Sequence, residues 1–132
     1  MNSILIVDDH DLFREGLRKI IEHWQDFQVV GEASNGRDAL ALARDLFPDI
    51  ILMDIQMPGV NGIDATRQIM QTSPHIRILV VTMFQDDDSV FAALRAGARG
   101  YVLKDMNDAD ISQAILAVGR VAEATLVRGL FP

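Results

Sequence analysis

The chain has no cysteine in 132 residues, which excludes disulfides and thiol chemistry. It has no apolar run approaching the roughly 20 residues needed to span a bilayer. Positive charge is scarce: 12 Lys and Arg stand against 19 Asp and Glu, a net charge of −7. Nucleic-acid binding is driven by cations that neutralise phosphates, so this acidic balance argues against the segment holding nucleic acid by itself. The N-terminus runs straight into Ser3–Val7 without a charged leader or small-residue cleavage site, and a cytoplasmic location is expected. No internal repeat, low-complexity stretch or interdomain linker is evident. An apolar fraction of 49% and a length in the single-domain range fit one globular unit with a real core.

Four short apolar runs end at polar groups. Ile4–Val7 leads into Asp8 and Asp9, Ile50–Met53 into Asp54, Ile78–Val81 into Thr82, and Tyr101–Leu103 into Lys104. With a further strand at Gln28–Glu32, these runs read as strands separated by helical patterns. Helix one is expected over Leu12–Trp24, with Phe13, Leu17, Ile20, Ile21 and Trp24 on one face and Glu15–Lys19 as an exposed pair. Asn35 with Asp38 opens helix two, which ends before Pro48. Helix three runs over Ile63–Thr72, Asp86–Asp88 opens helix four, and Gly97 closes it. Asn107 with Asp110 opens helix five, whose inner face is Ile111, Ala114, Ile115 and Val118.

Continuous apolar strands alternating with amphipathic helices mean a parallel sheet covered on both faces. The expected fold is α/β, a doubly wound five-stranded parallel sheet in the order 2-1-3-4-5. Its switch point lies between strands one and three, and open sheets of this type build their sites there. Asp8, Asp9 and Asp54 follow those two strands.

Three carboxylates brought together repel one another unless a cation intervenes. A hard divalent cation such as Mg²⁺ suits oxygen ligands and leaves room for phosphate oxygens. Asp54 is then placed to attack phosphorus as a carboxylate nucleophile. Phosphoryl transfer mainly needs positioning and positive charge on the equatorial oxygens. Lys104 supplies a cation and Thr82 a hydroxyl donor.

The segments Val7-Asp8-Asp9-His10, Met53-Asp54-Ile55-Gln56-Met57-Pro58-Gly59, Thr82 and Tyr101-Val102-Leu103-Lys104-Asp105 resemble the receiver domain of two-component response regulators, a flavodoxin-like sandwich. Asp9–Leu17 and Ala96–Tyr101 resemble its NarL/LuxR-type subfamily, in which a helix-turn-helix DNA-binding domain follows. The resemblance covers Ser3–Gly119. It implies that Asp54 accepts phosphate from a histidine kinase, and that Asp8, Asp9, Asp54 and the Gln56 backbone carbonyl hold Mg²⁺. It also implies that Thr82 and Tyr101 relay the phosphorylated state to the surface of strand four, helix four and strand five. Such a domain is a phosphoacceptor that assists its own phosphotransfer and dephosphorylation, not an enzyme. Residues 1–119 are the expected receiver and 120–132 an extension towards a missing linker and DNA-binding output, so that DNA and transcription are reached only through that absent domain.

Other readings of the same residues are plainer. Asp8 and Asp9 also fit caps of helix one, Lys104 a solvated strand end, and Thr82 an ordinary strand residue. Tyr101 reads equally as a packed aromatic or a switch. His10 fits an exposed helix start, and His10, His23 and His75 lack ligand spacing. Met83 and Phe84 are bulky for the rim and narrow access to Asp54, while Gln56 is the rim residue expected to influence an attacking water. A flavodoxin-type cofactor binder would not place Asp8-Asp9-His10-Asp11 against a phosphate. A pseudo-receiver lacks an acceptor, metal aspartate or lysine, and none is missing. A haloacid-dehalogenase-type phosphatase needs a second Asp where Gln56 stands. Leu126, Val127, Leu130 and Phe131 are too apolar for a simple tail and suggest a possible homodimer.

Overall fold

The computed structural model describes residues 2–83 and 86–121. Strand and helix alternate as β1 (Asn2–Val7), α1 (Asp11–Glu22), β2 (Phe27–Ala33), α2 (Gly36–Leu46), β3 (Ile50–Met53), α3 (Gly62–Thr72), β4 (Arg77–Thr82), α4 (Asp87–Ala96), β5 (Gly100–Leu103) and α5 (Asp108–Val121). The sheet is parallel throughout, in the order β2-β1-β3-β4-β5. This is the doubly wound architecture expected from the alternation.

Strands β1, β3 and β4 carry apolar residues on both sides because both faces of the sheet are covered. Ile4, Ile6, Ile50, Leu52, Leu79, Val81 and Val102 pack on one side against Leu17 and Ile21 of α1 and Ile111, Ile115 and Val118 of α5. Leu5, Val7, Ile51, Met53 and Ile78 point the other way, onto Ala39 and Ala43 of α2 and Ala65 and Ile69 of α3. Each fully buried Ile or Leu stabilises the fold by on the order of 2 kcal/mol. The small residues on α2 and α3 let those helices lie close to the sheet.

The helix starts repeat one chemistry. The Asn35, Asn61, Asp86 and Asn107 side chains accept the N–H groups of Asp38, Asp64, Ser89 and Asp110 at 2.8, 2.9, 2.9 and 2.9 Å. Each side chain thereby satisfies one unpaired donor of the first turn. Asn61 fills this role at the start of α3, a cap that the sequence reading did not identify. Gly97 closes α4 in the left-handed region at φ 115°, as expected.

The boundaries of α1 and β2 differ most from the sequence reading. Helix α1 stops at Glu22, where the His23 N–H turns back to the Ile20 and Ile21 carbonyls. Trp24 lies beyond the helix but still packs edge-on against Phe27, with ring centroids 5.3 Å apart. Strand β2 extends to Phe27 and Ala33, with a register shift between Ile4 and Leu5 of β1 that leaves Val30 as the extra residue.

Arg77 opens β4 and is buried. Its Nη1 donates to the Val118 and Gly119 carbonyls at 3.1 and 2.9 Å, and its Nη2 to Asn2 Oδ1 at 3.2 Å. The guanidinium thus ties the starts of β1 and β4 to the last turns of α5. Phe84 and the apolar residues Leu126, Val127, Leu130 and Phe131 lie outside the described residues.

Candidate functional site

The sheet register sets the site. Val7 of β1 pairs with Met53 of β3, so the residues that follow them, Asp8 and Asp54, emerge side by side. Backbone bonds continue the ladder past the strand ends: Asp8 N–H to Ala33 O at 2.9 Å, Asp54 N–H to Val7 O at 2.9 Å, and Lys104 N–H to Thr82 O at 2.8 Å. The polar side chains are therefore carried on the rigid sheet edge rather than on free loops. They face a cleft of about 530 Å³ whose lining includes Asp9, His10, Asp54, Gln56, Thr82 and Lys104.

Lys104 is the hub. Its Nζ lies 2.7 Å from Asp8 Oδ2 and 3.2 Å from Asp54 Oδ2. The lysine side chain is 6% exposed and those of Asp8 and Asp54 are 3% and 4% exposed, so these charges are nearly dry. The ammonium sits 4.8 Å from the centre of the Phe13 ring on α1. Burial pushes the Asp54 carboxyl above its usual range, with Asp8 adding to the rise and Lys104 opposing it. A carboxylate held against that tendency favours any added cation.

The acidic residues do not serve as helix caps. Helix α1 has His10 at its N-cap with no side-chain capping bond, while Asp8 Oδ1 accepts the His10 backbone N–H at 2.8 Å. Asp9 Oδ1 is buried and accepts no hydrogen bond. An orphaned carboxylate oxygen beside two further carboxylates is the donor set a hard divalent cation takes. Donor atoms of Asp8, Asp9, His10 and Asp54 all lie within 4.8 Å of one another. The residues present therefore fit a divalent ion.

The cluster brings together every charged residue that the sequence singled out, namely Asp8, Asp9, Asp54 and Lys104, together with Thr82. Thr82 is fully buried at the end of β4. Gln56 and Met83 are exposed at the rim. Tyr101 stands outside the cleft lining. It is half-buried on β5, packed against Ile55, Val80, Ala93 and Ala98. Burial, and then the charge of Asp86, raise its hydroxyl pKa, so the ring stays neutral.

Three supporting residues were not read from the sequence. The first is Arg14, whose Nη1 donates to the Asp8 carbonyl at 2.5 Å and whose Nε donates to Glu32 at 3.2 Å. Arg18 shares that glutamate at 2.9 Å. The i, i+4 spacing of Arg14 and Arg18 was visible, but Glu32 belongs to a different strand. The second is Gly62, whose N–H donates to the Ile55 carbonyl at 2.7 Å. A Cβ on Gly62 would lie 1.9 Å from the Asp54 carbonyl oxygen, so only glycine lets α3 start against the Asp54 backbone. The third is His10, which was expected as an exposed helix start. It is that, yet its ring also reaches the carboxylates, with Nδ1 3.1 Å from Asp8 Oδ1.

Known proteins share this fold. The response regulator receiver domain family matches residues 4–116. The response regulator GacA of Pseudomonas aeruginosa is 42% identical over 118 residues, 89% of this chain and 55% of that protein. The transcriptional regulatory protein LiaR of Bacillus subtilis is 43% identical over 120 residues, 91% of this chain and 57% of that protein. A LuxR-family two-component response regulator from Aurantimonas sp. SI85-9A1 superposes with a TM-score of 0.85 at 43% identity, covering 89% of this chain and 84% of that one. The chain thus spans about half the length of the curated relatives it matches, and the half it spans is the receiver. With β2-β1-β3-β4-β5 topology and a carboxylate–lysine cluster at the switch point, this chain belongs to the response regulator receiver domain family.

Proposed function

We propose that Asp54 is the phosphoacceptor of this receiver, taking a phosphoryl group from a phosphohistidine of a histidine kinase. One Asp54 oxygen attacks phosphorus, the P–N bond breaks, and the imidazole nitrogen leaves with the electron pair. An acyl phosphate results, and water attacking the same phosphorus later releases inorganic phosphate and restores the carboxylate. Asp8, Asp9, Asp54 and the Gln56 backbone carbonyl would hold Mg²⁺, which supplies positive charge to the phosphoryl oxygens. Lys104 leaves Asp8 for a phosphoryl oxygen, and Thr82 offers its hydroxyl to another. Gln56, at the rim, stands beside the path of the hydrolytic water. The domain speeds its own dephosphorylation by this positioning and acts on no separate substrate.

The observation that carries this reading is the dry triad of Lys104 with Asp8 and Asp54 at 2.7 and 3.2 Å. A structural ion pair would need one carboxylate; two on one buried lysine, with a third beside them, make a site poised for another cation. Thr82 and Tyr101 would form the switch, with Tyr101 turning inward as Thr82 moves to the new anion. Residues 1–119 form the receiver unit on this reading and 120–132 lead towards an output domain. The naming of relatives as transcriptional regulators supports a DNA-binding output and a cytoplasmic setting. No helix among the described residues is long and apolar enough to cross a membrane.

Incubation with acetyl phosphate and Mg²⁺ tests the proposal. Intact mass should rise by one phosphoryl group, EDTA should prevent it, and Asp54→Asn should abolish it. Label recovered on a histidine or serine overturns the assignment.

A further inference from the structure

His10 places one ring nitrogen among three charged neighbours of the acidic cluster. Its side chain is 63% exposed, but Nδ1 turns inward, 3.1 Å from Asp8 Oδ1 and 3.3 Å from Asp9 Oδ1. The same atom is 3.1 Å from Lys104 Nζ. One ring nitrogen cannot serve all three neighbours. As a donor to the carboxylates it opposes the ammonium, and as an acceptor from the ammonium it turns a lone pair on the carboxylates. A divalent ion removes the conflict, because the lone pair and the carboxylate oxygens then all donate to one charge.

The spacing suits that role. Ligands about 2.1 Å from an ion stand about 3.0 Å apart along an octahedral edge and about 3.4 Å apart along a tetrahedral one. The two separations from His10 Nδ1, 3.1 and 3.3 Å, fall between these. The 4.8 Å spread of the four donor groups must close by about half an ångström for two of them to stand at opposite octahedral corners, about 4.2 Å apart, and by about 1.4 Å for a tetrahedral set, whose ligands stand about 3.4 Å apart. The backbone of Asp9 and His10 lies in the connection between β1 and α1, where such a shift breaks no helix or strand.

We propose that His10 is a metal ligand, and that it tilts the carboxylate site towards borderline divalent ions of the zinc, nickel and copper class. The inference rests on the metal reading of the cluster given above. Mg²⁺ favours oxygen ligands, whereas imidazole nitrogen is a preferred ligand of these softer ions, whose affinities also exceed those of the earlier divalent metals. With Zn²⁺ a set of His10, Asp8, Asp9 and Asp54 is complete at four ligands. An Asp54 oxygen is then committed to the ion, and Lys104 loses its place between the carboxylates. Zinc-class ions thereby compete with both Mg²⁺ and phosphorylation at one site.

Calorimetric titration of the protein with ZnCl2 and with MgCl2, at one pH and ionic strength, tests this. Wild type should bind Zn²⁺ at least tenfold more tightly than Mg²⁺. His10→Asn should weaken Zn²⁺ at least tenfold and shift Mg²⁺ by less than threefold. Asparagine is a favourable N-cap, so the variant should keep the fold, which its melting curve checks. His23→Asn and His75→Asn should leave both affinities unchanged. In wild type, the His10 ring proton resonances should move on Zn²⁺ addition and stay in place with Mg²⁺. Equal Zn²⁺ affinity in wild type and His10→Asn overturns the inference. If Mg²⁺ still binds and Asp9→Asn abolishes it, only the inference fails; if neither ion binds, the metal reading fails with it.

Discussion

Lys104 is held more closely by Asp8 than by Asp54, at 2.7 Å against 3.2 Å. The lysine thus stands in for a cation on the carboxylate that an incoming ion would claim. Removing it leaves Asp8 and Asp54 buried beside each other without compensation, a loss of about 3 kcal/mol for a broken buried pair. Lys104→Met should lower the unfolding free energy, read from urea denaturation in EDTA, by that amount. Millimolar Mg²⁺ should restore more stability to the variant than to wild type, since the ion replaces the missing charge. Equal gains in both proteins would show that lysine and ion do not compete for Asp8.

Asp54 titrates in the opposite sense from a salt-bridged carboxylate. Burial raises its folded-state pKa above the ordinary 3.8, so the folded protein prefers the proton. Below the ordinary pKa the group is protonated in both states and nothing is lost. As pH rises through the folded-state value, charge is forced into the buried site and stability falls. Asp54→Asn in metal-free buffer should therefore raise the melting temperature at pH 7, with the gain shrinking towards pH 4. A pH-independent difference between the two proteins would contradict the linkage.

Gly62 is predicted to tolerate no side chain. Its Cβ would sit 1.9 Å from the Asp54 carbonyl oxygen and 2.7 Å from the carbonyl carbon, and backbone cannot swing aside as a side-chain tip can. Gly62→Ala should destabilise by about 2 kcal/mol or more through forced displacement. If Asp54 is the acceptor as proposed, it should also slow phosphorylation of whatever remains folded, because the displaced atoms belong to that residue. Gly16→Ala is the control: nothing lies within 4 Å of its added Cβ, and it should stabilise α1 slightly.

Phe47 closes α2 in the left-handed region at φ 48°, a conformation that suits few residues with a β-carbon. The ring is 64% exposed, so little packing offsets that strain. Phe47→Asn should stabilise the fold by about 0.5–1 kcal/mol, as for other substitutions matched to a special backbone conformation. Chemical denaturation decides the sign, and a loss would mean the ring contributes more than its exposure suggests.

The fold was legible because its apolar runs are unbroken. Ile50–Met53 and Ile78–Val81 have no polar alternation, which only a strand buried on both faces explains, and each ends on the polar residue that the site uses. Asn35, Asp86, Asn107 and Gly97 marked helix ends through local chemistry. What escaped depended on contacts between distant segments. Arg14 reaches Glu32 across β2, Gly62 matters because of the Asp54 carbonyl, and His10 faces inward because the chain leaves β1 at a particular angle. The end of α1 was misjudged because Trp24 continues the apolar period beyond the point where the hydrogen bonds stop.

Arg77 and Thr82 are the two ends of one strand, five residues or about 17 Å apart. One end lies in the carboxylate cleft; the other grips the final carbonyls of α5 through the guanidinium at 2.9 and 3.1 Å. The last turns of α5 are therefore anchored at the end of the sheet remote from the carboxylate cleft. A substitution at Arg77 would loosen that anchor at a distance from the cleft, whereas one at Thr82 acts inside the cleft and leaves the anchor in place.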